Sequence, residues 1–132
     1  MRLTLLLPGL LLSACANVTV EDELARQDVW HAAKLRGVAF RAVGQEPGWL
    51  LEIAADSILL STDYGANKVT YDYVEPIVDQ PARRTQYSLS DNTVIVINGI
   101  ACTDVMSGEQ FEVSVTIRQP DKELKGCGRA LF

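Results

Sequence analysis

Lys68-Val69-Thr70-Tyr71-Asp72-Tyr73 is the stretch that decides the fold. Val69, Tyr71 and Tyr73 point one way, and Lys68, Thr70 and Asp72 point the other. A period of two is the mark of a half-buried β-strand, because successive side chains leave a pleated backbone on opposite faces. The same period runs outward in both directions. Toward the N-terminus, Val38, Phe40 and Ala42 alternate with Ala39, Arg41 and Val43, while Trp49, Leu51 and Ile53 share a face with Glu52 opposite. Toward the C-terminus, Thr85, Tyr87 and Leu89 alternate, as do Phe111, Val113, Val115 and Ile117 against Glu112, Ser114, Thr116 and Arg118. Val94-Ile95-Val96-Ile97 is apolar on both faces, which predicts a central or covered strand. A short strand is expected over 101–104, and a last one over 124–132.

Turn residues punctuate these runs: Gly44-Gln45-Glu46-Pro47-Gly48, Asp63-Tyr64-Gly65-Ala66-Asn67, Pro76 with Pro81, Asp91-Asn92, Asn98-Gly99 and Pro120-Asp121-Lys122. About seven or eight short strands, each followed by a turn, predict an all-β fold that fits a small barrel or sandwich over 37–132; a small antiparallel barrel is the reading adopted, since closure would remove exposed edges. Long crossover helices, which a parallel sheet needs, are missing from the pattern.

The 132 residues suggest one domain, 48% apolar and 22% charged, so this is not a charge-dominated disordered chain. Twelve Lys and Arg against seventeen Asp and Glu give a formal charge of −5, which excludes a basic nucleic-acid-binding surface.

The N-terminus predicts an address. Arg2 precedes a Leu-rich run over residues 3–12 that is about ten residues long, half of what a bilayer span requires. Leu12-Ser13-Ala14-Cys15 resembles the bacterial lipoprotein signal. The resemblance implies a signal peptide over 1–14 and a Cys15 that carries acyl chains. Several chains hold a protein firmly to a membrane, whereas one gives only reversible binding. Ala16-Asn17 lack the Asp that such lipoproteins use for inner-membrane retention in enteric bacteria, so the expected location is the cell envelope, at the outer membrane facing the periplasm. Residues 15–36 read as a lipidated N-terminus and tether with one short helix, from which Leu24, Val29, Trp30 and Ala33 lean on the domain.

With Cys15 assigned to lipid, Cys102 and Cys127 remain. In an exported chain two spare cysteines are read most simply as one disulfide; a metal site or free thiols are the alternatives. Zinc would need more ligands, and His31 is the single histidine. Loop-entropy arithmetic makes the disulfide worth roughly 3.5 kcal/mol.

Three segments carry a further resemblance. Gly44-x-Glu46-Pro47-x-Trp49, Cys102-x-Asp104-x-Met106-Ser107-Gly108 and Leu124-x-Gly126-Cys127-Gly128 resemble, in order, segments of an uncharacterised bacterial lipoprotein family over about residues 37–132. Members often carry Phe where this chain has Gly48. The family is distantly similar to membrane-bound inhibitors of C-type lysozyme, which are eight-stranded barrels with a disulfide, and to META/heat-shock lipoproteins. The inhibitors insert a Ser-containing loop into the lysozyme cleft, and Ser107-Gly108 is the nearest match to it.

The candidate binding loop is therefore Asp104, Met106, Ser107, Gly108 and Glu109, able in an inhibitor to pair with basic groups of a cationic cleft. Its plain alternative is a turn in which Asp104 accepts amides and Gly108 supplies the bend. Gly44, Glu46, Pro47 and Trp49 form a candidate structural motif, with Trp49 as core and Glu46 in need of partners. Tyr71, Tyr73 and Tyr87 read as core with a rim hydroxyl, or as the mouth of a ligand pocket. An enzyme is not expected: His31 lies in the tether, and no nucleophile elbow, phosphate loop or zinc-protease motif occurs. No cofactor and no metal are implied. The expected function is that of a non-catalytic envelope lipoprotein that binds or supports another envelope component. Its partners are the membrane, through covalent lipid, and an envelope protein or lysozyme, with no nucleic acid. Lysozyme inhibition through Ser107 and small-ligand binding inside the barrel are the alternatives.

Overall fold

The computed structural model describes residues 28–132; the expected signal peptide over 1–14, Cys15 and the first part of the expected tether fall outside the described residues. A short helix, α1 (Val29–Leu35), precedes a run of strands: β1 (Val38–Gly44), β2 (Trp49–Ala54), β3 (Ser57–Thr62), β4 (Asn67–Asp72), β5 (Ile77–Asp79), β6 (Arg84–Ser88) and β7 (Val94–Asn98). β8 (Cys102–Thr103) and β9 (Gln110–Phe111) form a small ribbon, and β10 (Val113–Arg118) and β11 (Glu123–Ala130) complete the fold. The main sheet has nine antiparallel strands in the order β4-β3-β2-β1-β11-β10-β7-β6-β5, with β8-β9 as a separate pair.

The topology is two meanders joined by their outer members. β1 pairs with β11 from Phe40↔Ala130 to Val43↔Cys127, so the start and end of the domain are laced together. Leu131 N–H adds a bond to the Ala39 carbonyl oxygen (2.8 Å) beyond the last strand. The expected closed barrel of seven or eight strands is corrected here: the sheet is an open half-barrel, with β4 and β5 as its unpaired edges. The cause is local. After Asp72 the chain crosses 73–76 without regular structure, and Pro76 has no N–H to offer a ladder at the entry to the three-residue β5. Side chains span the opening instead. Tyr71 Oη donates to Asp91 Oδ2 at 2.7 Å, and the Tyr73 and Tyr87 rings meet edge-on with centroids 6.2 Å apart. The edges are managed differently: β4 exposes Asn67, Lys68, Thr70 and Asp72, polar groups that discourage edge pairing. Of the alternating residues of that stretch only Tyr71 is buried, because an edge strand has a neighbour on one side only.

The inner face is filled by one cluster that includes Ala42, Leu51, Ile58, Leu60, Ile95, Val115 and Ile117. β7 lies between β6 and β10, which explains its apolar residues on both faces: Ile95 and Val96 are buried, and Val94 and Ile97 half-buried. Burial and the neighbouring Tyr73 push the Tyr87 phenol up to about 12. The unfolded phenol ionises near pH 10, so the folded protein retains a proton that the unfolded chain has lost. Stability supplied by neutral Tyr87 is therefore complete below about pH 10 and lost as pH rises toward 12, an outcome that denaturant titrations at stepped alkaline pH will read.

Candidate functional site

Three sequence segments far apart in the chain meet around one cleft. Its walls include Gly44 at the end of β1 and Gln45 just after it, Thr103 of β8 with Asp104 and Val105 of the loop that follows, and Lys125, Gly126 and Cys127 from β11, enclosing about 400 Å³. The Cys102–Cys127 disulfide, with Cα atoms 5.5 Å apart, ties the ribbon to β11 at this cleft.

Beneath it lies Trp49. Trp49, Gly44 and Gly126 occupy inner-face positions of β2, β1 and β11, with Gly44↔Trp49 in register. The two glycines are required by close approach. A Cβ at Gly44 would collide with Trp49 Nε1, and one at Gly126 with the Val43 carbonyl oxygen and the Trp49 ring. The indole N–H, buried with its ring, donates to the Lys125 carbonyl oxygen at 3.2 Å. Glu46, expected to need partners, is exposed in a left-handed conformation (φ 56°) before the cis Glu46–Pro47 bond, where water solvates its carboxylate. The ring of Tyr64, from the β3–β4 turn, covers Gly48; a Cβ there would lie 2.8 Å from Tyr64 Cδ1.

The loop 104–109 is built from its own hydrogen bonds. Asp104 Oδ2 accepts from Ser107 N–H (3.2 Å) and from the Ser107 hydroxyl (2.7 Å). Ser107 Oγ accepts from Glu109 N–H (3.1 Å), and Asp104 N–H donates to the Glu109 carbonyl oxygen (2.9 Å). Gly108 turns the chain at φ 72°, a region that costs an L side chain about 1 kcal/mol or more, and its N–H donates to the Asp104 carbonyl oxygen at 2.7 Å. Ser107 is consumed in holding the loop together. Beside the exposed Ser107 and Glu109, the loop presents two apolar side chains to solvent, Val105 and Met106, 89% and 65% exposed. Two aliphatic side chains held in water by a pinned turn are suited to entering an apolar socket, where burying each would contribute about 1.5–3 kcal/mol.

A row of side chains on the outer face supports this loop from behind, and sequence reasoning missed it. Cross-strand pairing aligns Glu52, Arg41 and Arg129 on β2, β1 and β11. Trp30 of α1 receives Arg41 and Arg129 on its ring, with guanidinium carbons 4.7 and 5.0 Å from the centroid. Arg129 also lies 4.8 Å from the Phe111 centroid and donates to Glu109 Oε1 (3.3 Å) and the Gln110 carbonyl oxygen (3.4 Å). Glu52 accepts both terminal nitrogens of Arg36, at 3.1 and 2.9 Å. Arg41 Nε approaches Glu52 Oε2 to 3.5 Å, near enough for attraction, yet its N–H makes no hydrogen bond. Burial lowers the Arg41 guanidinium from its ordinary value, Glu52 opposes that shift, and Arg36 adds to it. The outward alternation of Arg41 and Glu52 was visible in the sequence; the register that joins them was not.

Glu52→Gln is expected to cost about 2 kcal/mol, measured by urea unfolding. The side chain is only 6% exposed, so losing its charge leaves Arg41 unpaired. Arg36 is 58% exposed and water will re-solvate it, which keeps the cost below that of a fully buried pair.

His31 is exposed on α1, and among the described residues no hydrogen bond joins it to a serine or cysteine. No group of three or more His, Cys, Asp or Glu among the described residues is placed to hold a metal ion, and no described helix is long and apolar enough to cross a membrane. No protein-family model matches the chain, nor does any curated protein or solved structure.

Proposed function

We propose that the protein is a non-catalytic lipoprotein of the bacterial envelope, anchored through Cys15, that binds another envelope protein through the loop 104–109. The observation that carries the reading is the loop itself: closed by the Asp104–Ser107 bonds, held at its base by the Cys102–Cys127 disulfide, and tipped with Val105 and Met106 in solvent. A preorganised loop loses little conformational entropy on binding, so most of the energy from burying the two aliphatic side chains survives as affinity. The half-barrel interior is occupied by packed aliphatic residues, which argues against the reading that puts a ligand inside it. The outer-membrane address rests on the N-terminal resemblance alone.

Lysozyme inhibition is the second reading, favoured by a pinned loop that carries Ser107. It is weakened by the internal use of the Ser107 hydroxyl. Two measurements separate the readings. The double substitution Val105→Ser with Met106→Ser should leave Tm within about 2 °C, since exposed positions rarely contribute much to stability. In detergent extracts of the native envelope, run on a non-denaturing gel, it should shift the protein from a larger assembly to its own mass. An unchanged assembly would remove the loop from the account. Titration against a C-type lysozyme acting on a soluble chitooligosaccharide should give no inhibition; stoichiometric inhibition that Ser107→Ala abolishes would instead favour the second reading.

A further inference from the structure

β8 is half of a two-strand ribbon, so one of its edges has no strand beside it. The register shows which groups that edge carries. Cys102 pairs with Phe111 and Thr103 with Gln110, and Asp104 N–H donates to the Glu109 carbonyl oxygen at 2.9 Å. Hydrogen-bonded and non-hydrogen-bonded pairs alternate along an antiparallel ladder, which makes Thr103↔Gln110 a non-hydrogen-bonded pair. The Thr103 N–H and carbonyl oxygen therefore point away from β9. Among the described residues neither meets a backbone partner outside the ribbon.

They point toward the cleft. It is lined by Cys102 and Thr103 of β8 but by no residue of β9, so it lies on the unpaired side of β8. Across it stand Ser114, Thr116 and Lys125, which share the outer face of β10 and β11, with Gln45 beside them. The walls carry one charge of each sign, Lys125 and Asp104, and Lys125 Nζ also lies 3.6 Å from Glu123 Oε1. No net charge selects an ion here. What the cleft offers is hydroxyl and amide side chains, one free pair of backbone groups and an apolar wall at Val105. No aromatic ring lines it, so a sugar would find no stacking surface.

We propose that the cleft takes an extended peptide segment of the protein partner, which adds a third strand to the ribbon by pairing with Thr103. Unpaired strand edges are templates for such addition: main-chain bonds supply affinity, and pockets for alternate side chains supply specificity. Side chains on one face of the segment would meet Ser114 and Thr116, and those on the other would face water. A cleft of about 400 Å³ suits a single extended strand better than a helix, which with its side chains is about 10 Å across. The inference rests on the reading that the loop 104–109 meets a protein. Thr103 supplies only two backbone bonds, and burial of Val105 and Met106 has to supply the rest of the affinity.

The test uses the full lipidated protein in its native membrane, with a photo-crosslinking side chain at position 116 beside the free edge or at position 106 at the loop tip. Both should capture the same partner, and peptide mapping should place the position-116 cross-link within one short stretch of it. Thr103→Pro removes an N–H that the ribbon does not use and should lower the position-116 yield about tenfold. Thr103→Val keeps the backbone groups and should leave the yield within about twofold. A second reading does not depend on how the proline variant folds. The mapped stretch, made as a synthetic peptide, should slow Thr103 amide exchange in the full protein in detergent about tenfold or more. The same peptide with alternate amides N-methylated should not. No adduct from position 106 overturns the loop reading and this inference with it. An adduct from position 106 without one from position 116 overturns the inference and leaves the loop reading standing. A position-116 cross-link to a second copy of this chain, or Thr103 exchange unchanged by the peptide, overturns the inference as well.

Discussion

Trp49→Ala is expected to cost about 4 kcal/mol and to lower Tm by about 15 °C, the largest effect of any single side chain in the domain. The size follows from where the indole lies. It spans the backbones of β1 and β11 at Gly44 and Gly126, two positions emptied of side chains by steric need, so its removal opens a void that neither neighbour can fill. It also leaves the Lys125 carbonyl oxygen without the indole N–H that reaches it. Trp49→Phe separates the two contributions. It keeps much of the apolar volume and loses the donor, and should cost about 1–2 kcal/mol. Urea unfolding of the three proteins under identical conditions reads both numbers. A Trp49→Ala variant within 1 kcal/mol of the parent would mean that the β1–β11 seam does not depend on the indole.

The second large effect belongs to the disulfide. Replacing Cys102 and Cys127 together by Ser is expected to cost about 3.5 kcal/mol, from releasing a cross-link between residues 25 apart in the sequence. The cost has a functional side, because the cross-link fastens a two-strand ribbon whose own pairing is only Cys102↔Phe111 and Thr103↔Gln110. Arg129 remains as the other fastener, through Glu109 and the Gln110 carbonyl oxygen, both partly exposed contacts that contribute little each. Amide hydrogen exchange over 102–111 should therefore speed up far more than exchange over β10 and β11, the local signature of a released element. Uniform acceleration across the sheet would show that the disulfide supports the whole fold rather than the loop.

The sequence made the strands legible because alternation is a property of single segments. Val113, Val115 and Ile117 read as one face without any knowledge of their neighbours, and β10 follows that pattern. The glycine and proline punctuation located the turns for the same reason. Closure is different, since it depends on whether two distant edges meet. Asp72, Pro76 and the short β5 decide that question jointly, and no periodicity records the decision. The pairing of Cys102 with Cys127 was legible once the N-terminus was read as an export signal and Cys15 was set aside for lipid. At the candidate site, the segments around Gly44, Asp104 and Gly126 were each visible, but their convergence on one cleft required the β1–β11 register. Ser107 shows the limit most clearly. As a residue type it suggested a group offered to a partner; the 2.7 Å bond to Asp104 engages its hydroxyl within the loop although the residue stays exposed, and Val105 and Met106 are the apolar chemistry beside it. The stack of Trp30 on Arg41 and Arg129 was hidden for a similar reason, because it joins a helix to two strands whose adjacency only the folded sheet defines.

This arrangement also connects the tether to the loop. α1 contacts the sheet through Trp30 and buries only Ala33, and Arg129 bridges Trp30 to Glu109. The element nearest the proposed anchor and the loop proposed to bind therefore share one side chain.

The central claim is that the loop tip meets a protein in the envelope. The direct measurement places a photo-crosslinking side chain at position 106 in the full lipidated protein, irradiates it in the native membrane, and compares it with the same group at position 70 on β4. The account predicts one discrete adduct from position 106, lost when Cys102 and Cys127 are both replaced by Ser, and none from position 70. No adduct from position 106, or the same adducts from both positions, would contradict it.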